Sequence, residues 1–239
     1  MKDYNFANLL EDLETKVEGL KRIRISSIEA SQITDEVIEV LDKSTKIVRH
    51  LHIPLQSGSN TVLQRMRRKY SAEFYEEKVN RIKEALPGLA ITSDIIVGFP
   101  GETEEEFLET YEFVQRIGYS ELHVFPYSRR TGTPAARMEN QVPEDIKEER
   151  VQKMIALSDK LAKQYAAKYE NTVLDVIPEE KSSTKLGSLV GYTDNYLKVQ
   201  FEGPEELIGS IVRVKITKAG YPINEGMFVK VIDDVVLSS

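Results

Sequence analysis

Between residues 22 and 125, short β-rich apolar runs alternate with stretches of helical period. This is the pattern of consecutive strand–helix units. Strands are predicted at 22–28 (RIRISSI), 47–53 (IVRHLHI), 90–97 (AITSDIIV) and 120–125 (SELHVF). Thr34 stands before Val37, Ile38 and Leu41, and Ser71 before Phe74, Tyr75, Val79 and Ile82, so each hydroxyl is placed to cap a helix. Thr103 and Glu106 have the spacing of a capping box, and Gly118 can stop the helix behind them. Helical crossovers demand parallel strands. A further stripe over 6–20, with Leu9, Leu10, Leu13 and Val17, reads as the helix of a unit whose strand is not in the sequence. All-parallel sheets are normally covered on both faces, so the expected fold is α/β, a partial parallel (β/α) barrel.

After Pro143 one long helix is predicted to about residue 170, carrying Val151, Met154, Ile155, Leu161, Ala162 and Tyr165. From Val173 the pattern changes to short alternating strands broken by Gly187, Asp194-Asn195, Gly203-Pro204, Gly220 and Gly226. Five such strands predict a small antiparallel barrel of the oligonucleotide-binding type. The domains are therefore expected at 1–170 and 171–239.

With 239 residues, 41% of them apolar, the chain can bury a sizeable core. No apolar run approaches the ~20 residues that cross a bilayer, and the first residues lack a signal-peptide stretch. A soluble, cytoplasmic protein with no membrane partner is expected. The chain has no cysteine, so it offers no thiolate to zinc or to an iron–sulfur cluster. Its net charge of -7 places any nucleic-acid contact on a local patch.

In parallel βα folds the functional groups gather in loops at the carboxyl ends of the strands. Those loops are polar and rich in glycine: 26–29 with Ser27 and Glu29, 54–59 with Gln56 and Ser57, 98–102 (Gly98, Phe99, Pro100, Gly101, Glu102), and 126–133 with Tyr127. Any one of them serves as an ordinary turn; four on one rim favour a site for a polar ligand. Asp94 lies inside an apolar strand and needs a partner, either a cation of the protein or a ligand. Arg65, Arg67, Arg68 and Lys69 form the densest positive cluster, fit for a solvated helix end or for a carboxylate or phosphate. His50 and His52 share a strand face and His123 lies on another strand, but no carboxylate sits beside them at strand or helix spacing. They read as packed histidines, and no residue is assigned to a metal. In the small domain Arg213 and Lys215 alternate with buried-type residues, and with Lys198 and Lys230 they offer a track for a phosphate backbone.

In order and spacing, RIRISSIE, LHIPLQSGSNTVLQRMRRKY, SDIIVGFPGETEEEF and HVFPYSRRTGTPA closely resemble the radical S-adenosylmethionine tRNA methylthiotransferases. The LHIPLQSGS version resembles the branch acting on N6-threonylcarbamoyladenosine beside the anticodon, and the tail resembles the RNA-binding TRAM domain. The resemblance implies a transferase. In it a 4Fe–4S cluster on a CxxxCxxC loop reduces S-adenosylmethionine, and the resulting radical opens the adenine C2 to sulfur from a second cluster. A second S-adenosylmethionine supplies the methyl group. It further implies that Ser27, Glu29, Gln56, Ser57, Arg68, Asp94 and the Gly98–Glu102 turn line the S-adenosylmethionine site, with Phe125 and Tyr127 near the adenine. Arg68 would then suit the methionine carboxylate.

The chain departs from that family in having no cluster cysteine and no counterpart of the first barrel strands. It is therefore expected to be the carboxyl-terminal portion of such an enzyme, inactive alone and assigned no catalytic residue. An alternative is a cluster-free RNA-binding or scaffold protein acting through the small barrel. A third reading is a metal-dependent barrel enzyme that uses the histidines. The missing strands also predict an open edge at 22–28 that invites self-association.

Overall fold

The computed structural model describes residues 4–233. Four strands, β1 (Ile23–Ile25), β2 (Ile47–His52), β3 (Ala90–Val97) and β4 (Glu121–Pro126), pair in chain order, every ladder parallel. Helices α1 (Phe6–Lys16), α2 (Asp35–Lys43), α3 (Asn60–Arg65), α4 (Ala72–Ala85) and α5 (Glu104–Ile117) precede or connect them. The caps lie where the sequence put them. Val37 N–H donates to Thr34 Oγ1 and Phe74 N–H to Ser71 Oγ. Thr103 and Glu106 close a capping box, and Gly118 ends α5 in the left-handed region at φ 66°. The first strand is shorter than its seven-residue apolar run, because Ser26 and Ser27 turn outward while Ile28 N–H still donates to His52 O at 3.0 Å. The first helix likewise stops at Lys16 rather than 20.

The two faces of the sheet differ in chemistry. On one, Leu51, Ile91, Ser93, Ile95 and Val97 are each at most 1% exposed, as are Tyr75, Val79, Ile82, Phe107 and Val114 of the helices. Tyr75 of α4 donates to Ile53 O at 2.6 Å. Burying each large apolar side chain is worth roughly 1.5–3 kcal/mol, so this face holds the core. Strand alternation then sends His50, His52, Thr92, Asp94, Ile96, His123 and Phe125 to the opposite face.

The chain forms two compact units, one running to Ser158 and the other starting at Asp159. The division falls within the long helix α6 (Glu144–Ala167). The second unit is a closed barrel of β5 (Val173–Lys181), β6 (Ser188–Thr193), β7 (Lys198–Glu202), β8 (Ile211–Lys218) and β9 (Asn224–Asp233), in the order β5-β6-β7-β9-β8. Val176, Val199, Val212, Val214 and Ile216 fill it, each fully buried. Four of its ladders are antiparallel, as the pattern predicts, but β7 and β9 pair in parallel because β9 inserts between β7 and β8. Gly191 permits close approach of β5, since a Cβ there would lie 2.0 Å from Ile177 O.

Candidate functional site

A cleft of about 490 Å³ opens at the carboxyl ends of β2, β3 and β4, lined by Gln56, Asp94, Ile96, Phe125, Tyr127 and Arg130 among others. Its size suits a small-molecule ligand. Gln56 holds φ at 75°, a left-handed conformation that costs a non-glycine residue about 1 kcal/mol or more. Its backbone is clamped on both sides: Gln56 N–H donates to Asp94 O and Ile96 N–H to Gln56 O, both at 2.9 Å. Among the described residues its side-chain amide has no hydrogen-bond partner. Tyr127 presents a second unsatisfied group, a buried hydroxyl without a partner. A glutamine held in a strained conformation at the cleft marks a place for a polar guest, while the Tyr127 hydroxyl is closed off from solvent.

The turn after β3 carries Phe99 against Tyr127 of the cleft. Glu102 accepts from Gly98 N–H at 2.7 Å and from Arg150 Nη1 at 2.8 Å. Burial nonetheless outweighs those bonds and pushes its carboxyl above the ordinary range. Gly98, at φ 71°, is a required glycine, because a Cβ there would lie 2.2 Å from Lys147 Cγ. Lys147 in turn donates to Tyr127 O at 3.3 Å. Phe99 packs edge-on against the Tyr127 ring at 5.2 Å, Pro100 is buried, and Gly101 N–H donates to Asn140 O.

The predicted site residues thus fall into separate groups. Gln56, Asp94, Phe125 and Tyr127 share the cleft, whereas Gly98, Phe99, Pro100, Gly101 and Glu102 are not in its lining, and of them Phe99 packs on Tyr127. Ser57 is fully buried and hydrogen bonded to Thr110 Oγ1 of α5 at 3.0 Å, so it anchors a helix. Glu29 and Arg68 line a different cleft, of about 510 Å³, with Ser31, Arg67, Lys69, Tyr70 and Phe74. Ser27 is exposed and lines neither cleft. Arg65 leaves the positive cluster and makes a two-point ion pair with Glu106, at 2.9 and 2.5 Å.

On the polar face lies a chain of contacts that spacing along the sequence did not reveal. His50 Nδ1 is 3.2 Å from Arg24 Nη1 and its Nε2 is 3.0 Å from Thr92 Oγ1. His52 Nδ1 reaches the same hydroxyl at 2.9 Å, while His52 Nε2 and His123 Nδ1 meet the two oxygens of Asp94 at 3.3 and 3.1 Å. Burial, and then the charge of Arg24, lower the His50 pKa to about 3 and keep it neutral. The signal lay in register rather than spacing, since Asp94 faces His123 and His52 faces Thr92 across the ladders.

A 4Fe–4S cluster does not fit this chain's donor set. Such clusters take thiolate ligands, and none of the 239 residues is cysteine.

Residues 4–114 match the model described as the Radical SAM superfamily, and residues 167–220 match the TRAM domain. The chain is thus similar to a radical SAM segment followed by a TRAM domain. It is 69% identical to the threonylcarbamoyladenosine tRNA methylthiotransferase MtaB of Bacillus subtilis, over 99% of this chain and 53% of that protein. It is 44% identical to a tRNA-2-methylthio-N(6)-dimethylallyladenosine synthase of Lachnoclostridium phytofermentans, over 90% of this chain and 47% of the relative. A synthase of the same name from Carboxydothermus hydrogenoformans is 42% identical over 94% and 51%. The chain spans about half the length of these curated relatives. No helix among the described residues is long and apolar enough to cross a membrane.

In the TRAM domain, ladder register sets Arg213 of β8 beside Lys230 of β9, with Lys215 two residues along β8. Arg213 also meets Asp175 at 3.4 Å. Lys198 is not part of this group. It lies on β7 near the start of β9, its ammonium 5.8 Å from the centre of the Tyr192 ring, and Asn224 donates to its carbonyl.

Proposed function

We propose that this chain is part of a tRNA methylthiotransferase that adds a methylthio group to N6-threonylcarbamoyladenosine beside the anticodon. Its radical SAM cleft binds S-adenosylmethionine and its TRAM domain holds the tRNA. The observation that carries the reading is the 69% identity, over 99% of the chain, to a relative named for that reaction. The cleft supports it in kind. Gln56 offers a side-chain amide, Asp94 offers a carboxylate to an amine or hydroxyls, and Phe125, Tyr127 and Ile96 offer ring and apolar contact to a base. When bound, S-adenosylmethionine supplies a transferable methyl group. The residues here bind and orient it, and Phe99 and Lys147 hold Tyr127 in place. No step is assigned to an iron–sulfur cluster, whose ligands this chain lacks. The reaction takes place in the cytoplasm, where tRNA is the partner.

The test is genetic and chemical. tRNA from cells lacking the gene for this chain, digested to nucleosides and weighed by mass spectrometry, should contain N6-threonylcarbamoyladenosine without its methylthio group. An unchanged nucleoside profile would reject the assignment. A second reading, an RNA-binding protein without methylthio transfer, is favoured by the clustering of Arg213, Lys215 and Lys230; it predicts that unchanged profile together with salt-sensitive tRNA binding.

A further inference from the structure

We propose that His52, Asp94 and His123 form a binding site for one divalent transition-metal ion. One nitrogen of each histidine and a carboxylate oxygen of Asp94 all lie within 4.8 Å of one another. Ligand atoms held about 2.1 Å from one ion stand roughly 3.0–3.4 Å apart, from right-angled to tetrahedral geometry. His52 Nε2 lies 3.3 Å from one carboxylate oxygen of Asp94 and His123 Nδ1 lies 3.1 Å from the other, so each nitrogen already stands at that separation from its own oxygen. The His52 and His123 rings are stacked at 5.4 Å and 24°, so a turn of the carboxylate and a closer approach of the two nitrogens would bring all three groups onto one ion.

The surroundings fix which atoms ligate. His52 Nδ1 lies 2.9 Å from Thr92 Oγ1. With Nδ1–H donating to that oxygen, Nε2 keeps its lone pair and points at Asp94, the outer-shell arrangement that orients metal-bound imidazoles. His50 is excluded, because both its ring nitrogens are engaged by Arg24 and Thr92. Two imidazoles and one carboxylate suit zinc, cobalt or ferrous iron better than magnesium or calcium, which prefer all-oxygen shells. Three protein ligands leave coordination positions for an outside group. Asp94 also lines the cleft beside Gln56 and Phe125, so those positions would be offered to the cleft's occupant. The site uses only side chains of this chain and stands whether or not the methylthiotransferase reading holds.

The probe is Co2+, added to the chain purified without a histidine tag and followed by visible absorption and calorimetry. One Co2+ per chain is expected, displaced by Zn2+ and unaffected by Mg2+. His123 is half exposed on the last strand of the sheet, so His123→Ala should leave the thermal transition unchanged and weaken Co2+ at least roughly tenfold. Asp94→Asn should do the same, and Thr92→Val, which removes the outer hydrogen bond to His52 together with the contact to His50, should weaken it roughly tenfold. In NMR spectra Zn2+ should shift the ring signals of His52 and His123 and leave those of His50 in place. Equal Co2+ uptake by the parent and the His123→Ala variant would overturn the proposal, as would displacement by equimolar Mg2+.

Discussion

Asp94 and His123 face each other across the β3–β4 ladder, with the imidazole Nδ1 3.1 Å from the carboxylate. They lie 29 residues apart in sequence, and only the parallel register of two crossover-linked strands makes them neighbours. The polar face of the sheet, and with it the cleft, is assembled in this way from single side chains of successive strands.

Gln56 separates stability from ligand binding. Gln56→Gly removes the penalty for φ at 75° and should leave the urea midpoint unchanged or raise stability by up to about 1 kcal/mol. The same variant removes the side-chain amide from the cleft and should weaken S-adenosylmethionine binding at least roughly tenfold by calorimetry. A destabilised variant that binds as tightly as the parent would contradict both halves.

The Tyr127 hydroxyl is buried without a partner, so Tyr127→Phe should cost less than about 0.5 kcal/mol or slightly stabilise the chain. Because the hydroxyl is closed off from solvent, the S-adenosylmethionine titration should be unchanged as well. A large drop in melting temperature is the contrary result.

Gly98→Ala forces a methyl group to within 2.2 Å of Lys147 Cγ at a backbone conformation that disfavours any side chain. A loss of about 1–3 kcal/mol is expected from urea unfolding. Lys147→Ala in the same chain should restore part of it, because the clash, though not the φ penalty, is relieved. No restoration would mean that the lysine is not the obstacle.

Burial opposes ionisation of Glu106, yet hydrogen bonds from Arg65, Thr61 and the Thr103 N–H hold its carboxyl down at about 2. A depressed carboxylate stabilises the fold fully above its ordinary value of 4.5, and that contribution is lost as pH falls from there towards 2. Glu106→Gln should therefore cost stability at about pH 6 and much less at about pH 2, seen as a flatter acid limb in urea midpoints. An identical pH profile for the two proteins would show that the ion pair contributes nothing.

Arg213 and Lys215 sit in the group beside Lys230, while Lys198 stands apart. Changing Arg213 and Lys215 to Glu should weaken tRNA binding and reduce the slope of log affinity against log salt by about 2. Lys198→Glu should have a smaller effect. Equal losses from all these changes would indicate a diffuse charge effect in place of a patch.

Most of the fold was legible because strand and helix periods alternate cleanly and because Thr34, Ser71, Thr103 and Gly118 carry their capping chemistry in local sequence. The cleft was legible in part. Gln56, Asp94, Phe125 and Tyr127 stand at strand ends, and topology alone places such residues together. Side-chain direction was not legible: Ser57 turns to Thr110, and Arg68 joins Glu29 at another cleft. Nor was the His52–Asp94–His123 cluster, whose members come from three strands with no common spacing. The parallel β7–β9 ladder escaped the pattern too, since alternation specifies which face of a strand is buried but not which neighbour it takes.

That ladder makes closure of the barrel depend on β9. Without it, β7 and β8 would have only one partner each, β6 and β5, and the gap between them would stay open to water. The last strand drops into that gap like a keystone, pairing with one neighbour in each sense. The basic group of Arg213 and Lys230 comes into being at the same moment, so a nascent chain halted before Asn224 would have neither a sealed barrel nor that patch.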